Sequence, residues 1–414
     1  MRRGHDGKSG DWLSSREASE RLGVKLETLY AYASRGLITS LGGDTQRGRR
    51  YASDDIERLR TRHAARSGHG PVAAAALRFG EPVLETRISD VGPDGPRYRG
   101  LLATQLCRDG VSFERVAELL WTGSLPEHAG PAMTNLSCDA ERLWPLLRDG
   151  ATLSKMALIL GALALSDTHR HSATDAAEFA RGRALFHWLA HAPARRPMPA
   201  KPGQRVAASL LSALRAPRSP ALLTRVDRAL VLCAEHELNA SAFAARVAAS
   251  AGADLYACLC AAVSTLSGSA HGGMCDRVEA LLAAIGSKAR AARVINEWLS
   301  RGEQVPGFGH PLYPAGDPRG ALLIELARAH GARSEPAKTA LALIDAMQRG
   351  GHPAPTLDAG LVTLCSCLEL PSGSAAAIFA LGRSAGWVAH VLEQRAAGYL
   401  LRPRARYVGP PARD

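Results

Sequence analysis

At 414 residues the chain is too long for one ordinary domain and long enough for two or three, each with its own core. Apolar residues make up 46% of it but aromatics only 5%, so the interior must be filled by Ala, Leu and Val, which suit close-packed helices and predict an all-α fold. The net charge of +12 points to nucleic acid, a membrane surface or anionic substrates, while the longest apolar run, Met156 to Leu165, is about half of what a bilayer crossing needs.

The N-terminal text lacks an apolar signal region, so a cytoplasmic location with no membrane partner is expected. Residues 1–70 hold 14 Lys/Arg against 9 Asp/Glu, a disproportionate share of the positive charge. Ser14-Ser15-Arg16-Glu17 opens a short helix with a capping residue and an acidic third position, and Gly23 ends it. A second helix over 25–34 places Leu26, Leu29 and Tyr30 on one face. A glycine and arginine loop, Gly42 to Tyr51, follows, and Asp54 to His63 reads as a third helix.

Helix, tight turn, helix and basic hairpin are the parts of a winged helix-turn-helix, and WLSSREASERLGVKLETLYAYASRGLI resembles the MerR-like and excisionase-like DNA-binding modules. The resemblance implies base and phosphate contacts to DNA from Lys25, Thr28, Tyr32, Arg47, Arg49 and Arg50. The alternative is a module kept for docking or dimerisation.

The polar, small and basic stretch His63 to Gly70 has the composition of a linker. Beyond it, helical signals alternate with Gly/Pro breaks. The only strand-like piece is Leu84 to Asp90, followed by the turn Gly92-Pro93-Asp94-Gly95. Eight cysteines (Cys107, Cys138, Cys233, Cys258, Cys260, Cys275, Cys365 and Cys367) fall mostly in apolar stretches without metal-ligand spacing and read as buried free thiols. No metal is expected.

Polar residues interrupt the helical text at His236-Glu237-Leu238-Asn239-Ala240-Ser241, Ser269-Ala270-His271-Gly272-Gly273, Pro306-Gly307-Phe308-Gly309-His310 and Leu357-Asp358. With Asp317-Pro318-Arg319, Gly382-Arg383 and Arg402-Pro403-Arg404, their order and spacing resemble the citrate synthase family over about four-fifths of the chain. That resemblance implies a two-domain all-α fold behind a small winged helix-turn-helix domain. The expected boundaries are 1–66 for the helix-turn-helix, 67–75 for a linker, 76–271 with 372–414 for a large domain, and 272–371 for a small domain that closes over substrate.

The implied reaction joins an acyl-CoA thioester to oxaloacetate. Removing a scarcely acidic methyl proton needs a carboxylate base and a donor for the developing enolate oxygen. By resemblance the base is Asp358 and the donor His271, while His310 polarises the acceptor ketone. Arg319, Arg383 and His236 match the positions that hold the acceptor's carboxylates, a task suited to the guanidinium fork. Arg402 matches one that reaches the neighbouring subunit, which implies a homodimer. No cofactor is held permanently, and acetyl-CoA enters as co-substrate.

Two departures stand out. Pro311-Leu312-Tyr313-Pro314 replaces the usual Arg-Val-Tyr-Lys after the histidine, removing two cations from the CoA side. Asp358-Ala359-Gly360-Leu361 replaces the usual Phe-Tyr-Ser-Gly after the base, changing the wall beside it. Citrate synthase, 2-methylcitrate synthase acting on propionyl-CoA, and a ligand-sensing DNA-binding regulator on the same body all stay open.

Overall fold

The computed structural model describes residues 12–42, 49–56, 59, 84–131, 136, 140–147, 150–172, 174–194, 203–269, 271–405 and 409–410. The chain divides into two compact units, Met1–Glu85 and Thr86–Asp414.

In the first unit a short strand β1 (Trp12–Ser14) leads into α1 (Ser15–Leu22), α2 (Leu26–Ser34), β2 (Ser40–Leu41) and β3 (Arg50–Ala52). Ser14 and Glu17 form a complete capping box, and Gly23 ends α1 in the left-handed region at φ 65°. Such a cap stabilises a short helix by about 1 kcal/mol. The strands pair antiparallel in the order β1-β3-β2, with Tyr51 opposite both Leu13 and Ser40. Strand β1 was not expected from the sequence. Its pairing partner lies 36 or more positions away, beyond the reach of a local pattern. Leu13, Ala18, Leu22, Leu29, Ile38, Tyr51, Ile56 and Leu59 make the core. A helical turn follows at 53–56. The rest of the expected third helix, the linker and Arg47 lie outside the described residues.

The second unit begins with a small antiparallel sheet of β4 (Ser89–Gly92), β5 (Gly95–Tyr98) and β6 (Leu101–Leu102). This corrects the expected strand at Leu84 to Asp90: pairing starts only at Ser89, because the Arg87 N–H and the Thr86 hydroxyl both donate to the Glu393 carboxylate. Helices α3 (Ala103–Arg108), α4 (Phe113–Thr122), α5 (Ala140–Leu147), α6 (Thr152–Ser166), α7 (Asp175–Ala190), α8 (Val206–Ala213) and α9 (Pro220–Cys233) follow. Then come α10 (Ala240–Ser250), α11 (Leu255–Leu266), α12 (Met274–Ile285), α13 (Ala291–Ser300), α14 (Pro318–His330), α15 (Glu335–Arg349), α16 (Leu357–Cys367) and α17 (Ser374–Ala397). Helix is therefore the dominant element, as the Ala- and Leu-rich text predicts.

Helix α17 is the central post, packed against α4, α7, α9, α10 and α11. It is long and apolar enough to cross a bilayer by length and composition, but 94% of its apolar window is buried inside the protein. A second, smaller cluster (Leu281, Ile285, Val294, Ile295, Val305, Leu343 and Met347) sits among α12, α13 and α15. Seven of the cysteines are free, and all of these but half-buried Cys260 are buried; Cys138 lies outside the described residues.

Two close crossings place the functional text. A Cβ on Gly386 would come within 2.6 Å of the Ala234 carbonyl oxygen, so α17 can run against the end of α9 only with glycine there. A Cβ on Gly320 would lie 2.4 Å from the Thr356 carbonyl oxygen, which locks α14 onto the start of α16. The first crossing brings Arg383 beside the segment after Cys233. The second brings Arg319 toward Asp358.

Candidate active site

The Tyr98 hydroxyl lies against the Val231 and Leu232 carbonyls and accepts from the Glu235 N–H, anchoring the small sheet to the end of α9. His236 follows at once, half-buried. Its Nε2 is 2.8 Å from the Tyr313 hydroxyl, and its ring meets that of His310 edge-on at 5.7 Å.

His310 is delivered by the PGFGH loop, whose Gly307 and Gly309 have φ of 83° and 79°. The loop is stitched to the segment before α16: Gly309 N–H donates to the Ala354 carbonyl and Thr356 N–H to the Gly307 carbonyl, both at 2.8 Å. The Leu312 N–H donates to His310 Nδ1 at 3.2 Å. A neutral ring so held carries its proton on Nε2 and is a donor there. Burial lowers the His310 pKa, Asp317 opposes that shift and Arg319 adds to it.

His271 sits in the turn between α11 and α12, with Nε2 2.9 Å from Ser241 Oγ. The same Ser241 hydroxyl accepts from Trp387 Nε1–H at 3.1 Å and donates to Asn239 Oδ1 at 2.7 Å. Burial, then Arg383, pushes the His271 pKa down to about 4. His236 is held well below the ordinary histidine value, first by burial and then by Arg319, Arg383, His310 and His271. All three rings are therefore neutral near pH 7.

Arg319 and Arg383 are each only 2% exposed. Arg319 donates through Nε and Nη2 to the two oxygens of Asp317, at 3.1 and 2.8 Å, yet its buried Nη1 has no partner. Burial opposes its charge, but Asp317 outweighs burial and raises its pKa. Arg383 donates through Nε to the Cys233 carbonyl at 2.9 Å and lies over the Phe379 ring. Burial lowers its pKa, with Glu235 opposing the shift and Arg319 adding to it.

Asp358 is the second residue of α16 and half-buried. The Cys275 thiol donates to Oδ1 and the Thr356 hydroxyl to Oδ2, both at 3.4 Å. Burial raises its pKa, and neither the Cys275 hydrogen bond nor Arg319 cancels the shift.

Three neutral rings, two arginines with donor capacity left over, and a carboxylate of raised basicity can together hold a dianion and move a proton. Arg402, by contrast, lies on the exposed segment after α17. In the first unit Lys25, Arg49 and Arg50 are exposed, Thr28 is half-buried, and Tyr32 packs on the small core. Among the described residues no group of His, Cys, Asp and Glu could hold a metal ion.

Asp317, Ser241 and Tyr313 stood inside quoted motifs without being picked as site residues, and Cys275 was read only as a buried thiol. Two acceptor-side groups of paired chemistry, Asp317 with Arg319, could have been inferred from their i, i+2 spacing across Pro318. No local signal could have singled out Cys275.

Two families match the chain: one described as "Citrate synthase, C-terminal domain" over residues 78–404, and one described as "MerR HTH family regulatory protein" over residues 13–71. "Putative citrate synthase 2" of Mycobacterium tuberculosis is 31% identical over 361 residues, which cover 81% of this chain and 93% of that protein. "2-methylcitrate synthase" of Shewanella oneidensis is 32% identical over 361 residues, covering 82% and 95%. The solved ternary complex of carboxymethyl coenzyme A and oxaloacetate with citrate synthase from Thermoplasma acidophilum has a TM-score of 0.68 and 22% identity, covering 82% of this chain and 97% of that one.

Proposed function

This chain belongs to the citrate synthase family and is an enzyme of the acyltransferase type, carrying a MerR-type helix-turn-helix at its N-terminus; from that premise we propose that it condenses acetyl-CoA with oxaloacetate to give citrate and CoA. The observation that carries the reading is the unpaired Nη1 of buried Arg319. A guanidinium left unsatisfied in a dry site costs stability unless an anion completes it, and a dicarboxylate is such an anion.

In this reading Arg319, Arg383 and His236 hold the two acceptor carboxylates. His310 presents Nε2–H to the ketone oxygen as it gains charge. Asp358 takes the methyl proton of the thioester, its basicity preserved by burial. His271 donates to the enolate oxygen. Ser241 gives its hydroxyl proton to Asn239 Oδ1 and lies 2.9 Å from His271 Nε2.

Domain limits of 76–271 with 372–414 and of 272–371 follow from the same reading, supported by the separate cluster among α12, α13 and α15. Closure of the smaller part would bring His310 and Asp358 onto bound acceptor. Arg402 would complete a neighbouring subunit's site in a cytoplasmic homodimer. The N-terminal unit would bind DNA through Lys25, Thr28, Tyr32, Arg49 and Arg50 together with Arg47.

A second reading, propionyl-CoA as donor and 2-methylcitrate as product, has the Shewanella relative's name and the small Ala359 and Gly360 beside the base in its favour. The test is thiol release from acetyl-CoA and from propionyl-CoA, each with and without oxaloacetate. Release that needs oxaloacetate and is faster with acetyl-CoA is expected. Faster release with propionyl-CoA selects the second reading, and no release with either rejects both in favour of a sensing role.

A further inference from the structure

Asp317 and Asp358 are neighbours in the same interior and are treated in opposite ways. Burial acts to raise both. Asp317 also receives the Arg319 guanidinium through two hydrogen bonds and is held below the usual carboxylate range. Asp358 receives a thiol and a hydroxyl, one on each oxygen, together with its own backbone N–H, and stays raised. A charge-assisted fork fixes a carboxylate but quenches it as a base. A thiol is a weak donor, so it can fix the orientation while taking away only part of the basicity.

Cys275 is the second residue of α12, four positions after His271, and its side chain is fully buried. Burial and then Asp358 push its thiol well above the ordinary range, so it stays protonated and remains a donor. Helix α12 packs on α16, which fixes the approach. We propose that Cys275 is a positioning residue for the general base: its S–H holds the Asp358 carboxylate in one orientation while leaving it able to take a proton. This deepens the functional reading above and rests on Asp358 being the base.

The other groups acting on Asp358 are identifiable. From the start of α14 come Arg319, which lowers its pKa, and Asp317, which raises it. From the end of α9, Cys233 lies within electrostatic reach, its own thiol pushed up to about 12 by burial with Asp358 contributing. Thr356 supplies the second donor.

The base works as carboxylate, so activity is lost as pH falls through its pKa. Removing a donor to the charged form raises that pKa. Cys275→Ala should therefore move the acid limb of kcat upward by about half a pH unit or more, with kcat several-fold lower and the KM for oxaloacetate unchanged. Cys275→Ser, which keeps a hydroxyl donor, should move it less. An acid limb that stays in place for Cys275→Ala, in a protein that still binds oxaloacetate, overturns the proposal.

A second measurement does not depend on turnover. The S–H stretching band of Cys275, isolated as the infrared difference between the wild-type protein and Cys275→Ser, should shift when Asp358 is changed to Asn, because a carboxylate acceptor becomes an amide. A band that does not move rejects the contact. A shifted band without any thiol release leaves the contact standing and rejects the condensation reading instead.

Discussion

In the candidate active site of the second unit the cations are Arg319 and Arg383, each 2% exposed, one clamped by Asp317 and the other lying over Phe379. Among the described residues of the N-terminal unit the cations proposed to meet DNA are Lys25, Arg49 and Arg50, all exposed and placed around a core of eight buried side chains. Buried positive charge has already lost its water, so it gains most from one anion of matching shape. Exposed positive charge keeps its water and counterions, so it suits an extended polyanion and fades as salt rises. The two units differ in what their charge can select.

The comparison is broken most directly by removing the one group that the proposed reading makes the proton acceptor. Asp358→Asn should lower turnover by at least about a hundredfold and leave oxaloacetate binding nearly unchanged, as steady-state thiol release and calorimetric titration will report. Turnover close to that of the wild type would move the base elsewhere.

Arg402 is an exposed cation of the second unit that the reading assigns to a neighbour's cleft. Arg402→Ala and Asp358→Asn proteins, each nearly inactive alone, should regain part of the activity when their subunits are exchanged, since a mixed dimer contains one site with both residues native. Mixed dimers that stay inactive would return Arg402 to its own subunit.

Acid should separate the units further. His271 and His191 are both lowered to about 4 by burial, with Arg383 adding at His271 and His187 at His191. Above the ordinary histidine value of 6.5 both folded and unfolded forms are neutral, and the stability is fully present. Between 6.5 and about 4 the unfolded chain takes up protons that the folded one refuses, so stability falls over that window. Thermal melts of residues 84–414 should decline across it, and His191→Gln should flatten the decline.

The smallest effect on turnover is expected from the N-terminal unit. Deleting residues 1–70 should change thiol release by less than about twofold, because every residue assigned to the cleft lies beyond them. Arg49→Ala with Arg50→Ala should weaken DNA binding alike on all sequences and reduce the salt slope by about one per residue. Full-length protein that is not retained on DNA at low salt would make the unit a docking element.

Much of this was legible from the sequence where the signal is local. The Ser14 and Glu17 capping box, the Gly23 stop and the helical text of the second unit are read within a few residues. The histidines and Asp358 stand out because polar residues interrupt apolar periodicity, whereas Arg319 and Arg383 are picked out through the resemblance to the citrate synthase family. What was not legible depends on distant partners. The strand at Ser89 begins late because Glu393, some 306 residues on, takes the Arg87 N–H. Gly320 and Gly386 read as ordinary helix glycines until the backbone that passes them is known. Cys275 is apolar text in an apolar helix until Asp358 is folded against it.

Helix α17 fills the centre of the second unit, yet it is near the C-terminal end of the chain. On the ribosome the helices that surround it emerge first and, at ~5–20 residues per second, wait on the order of ten seconds or more for it. Until then the faces of α4, α7, α9, α10 and α11 that pack on α17 lack that partner. The eight described core residues of the N-terminal unit, by contrast, all lie within its first sixty positions. Newborn chains of this protein therefore pass through a stage with a finished head and an open body. Demand for chaperones should fall on the body alone.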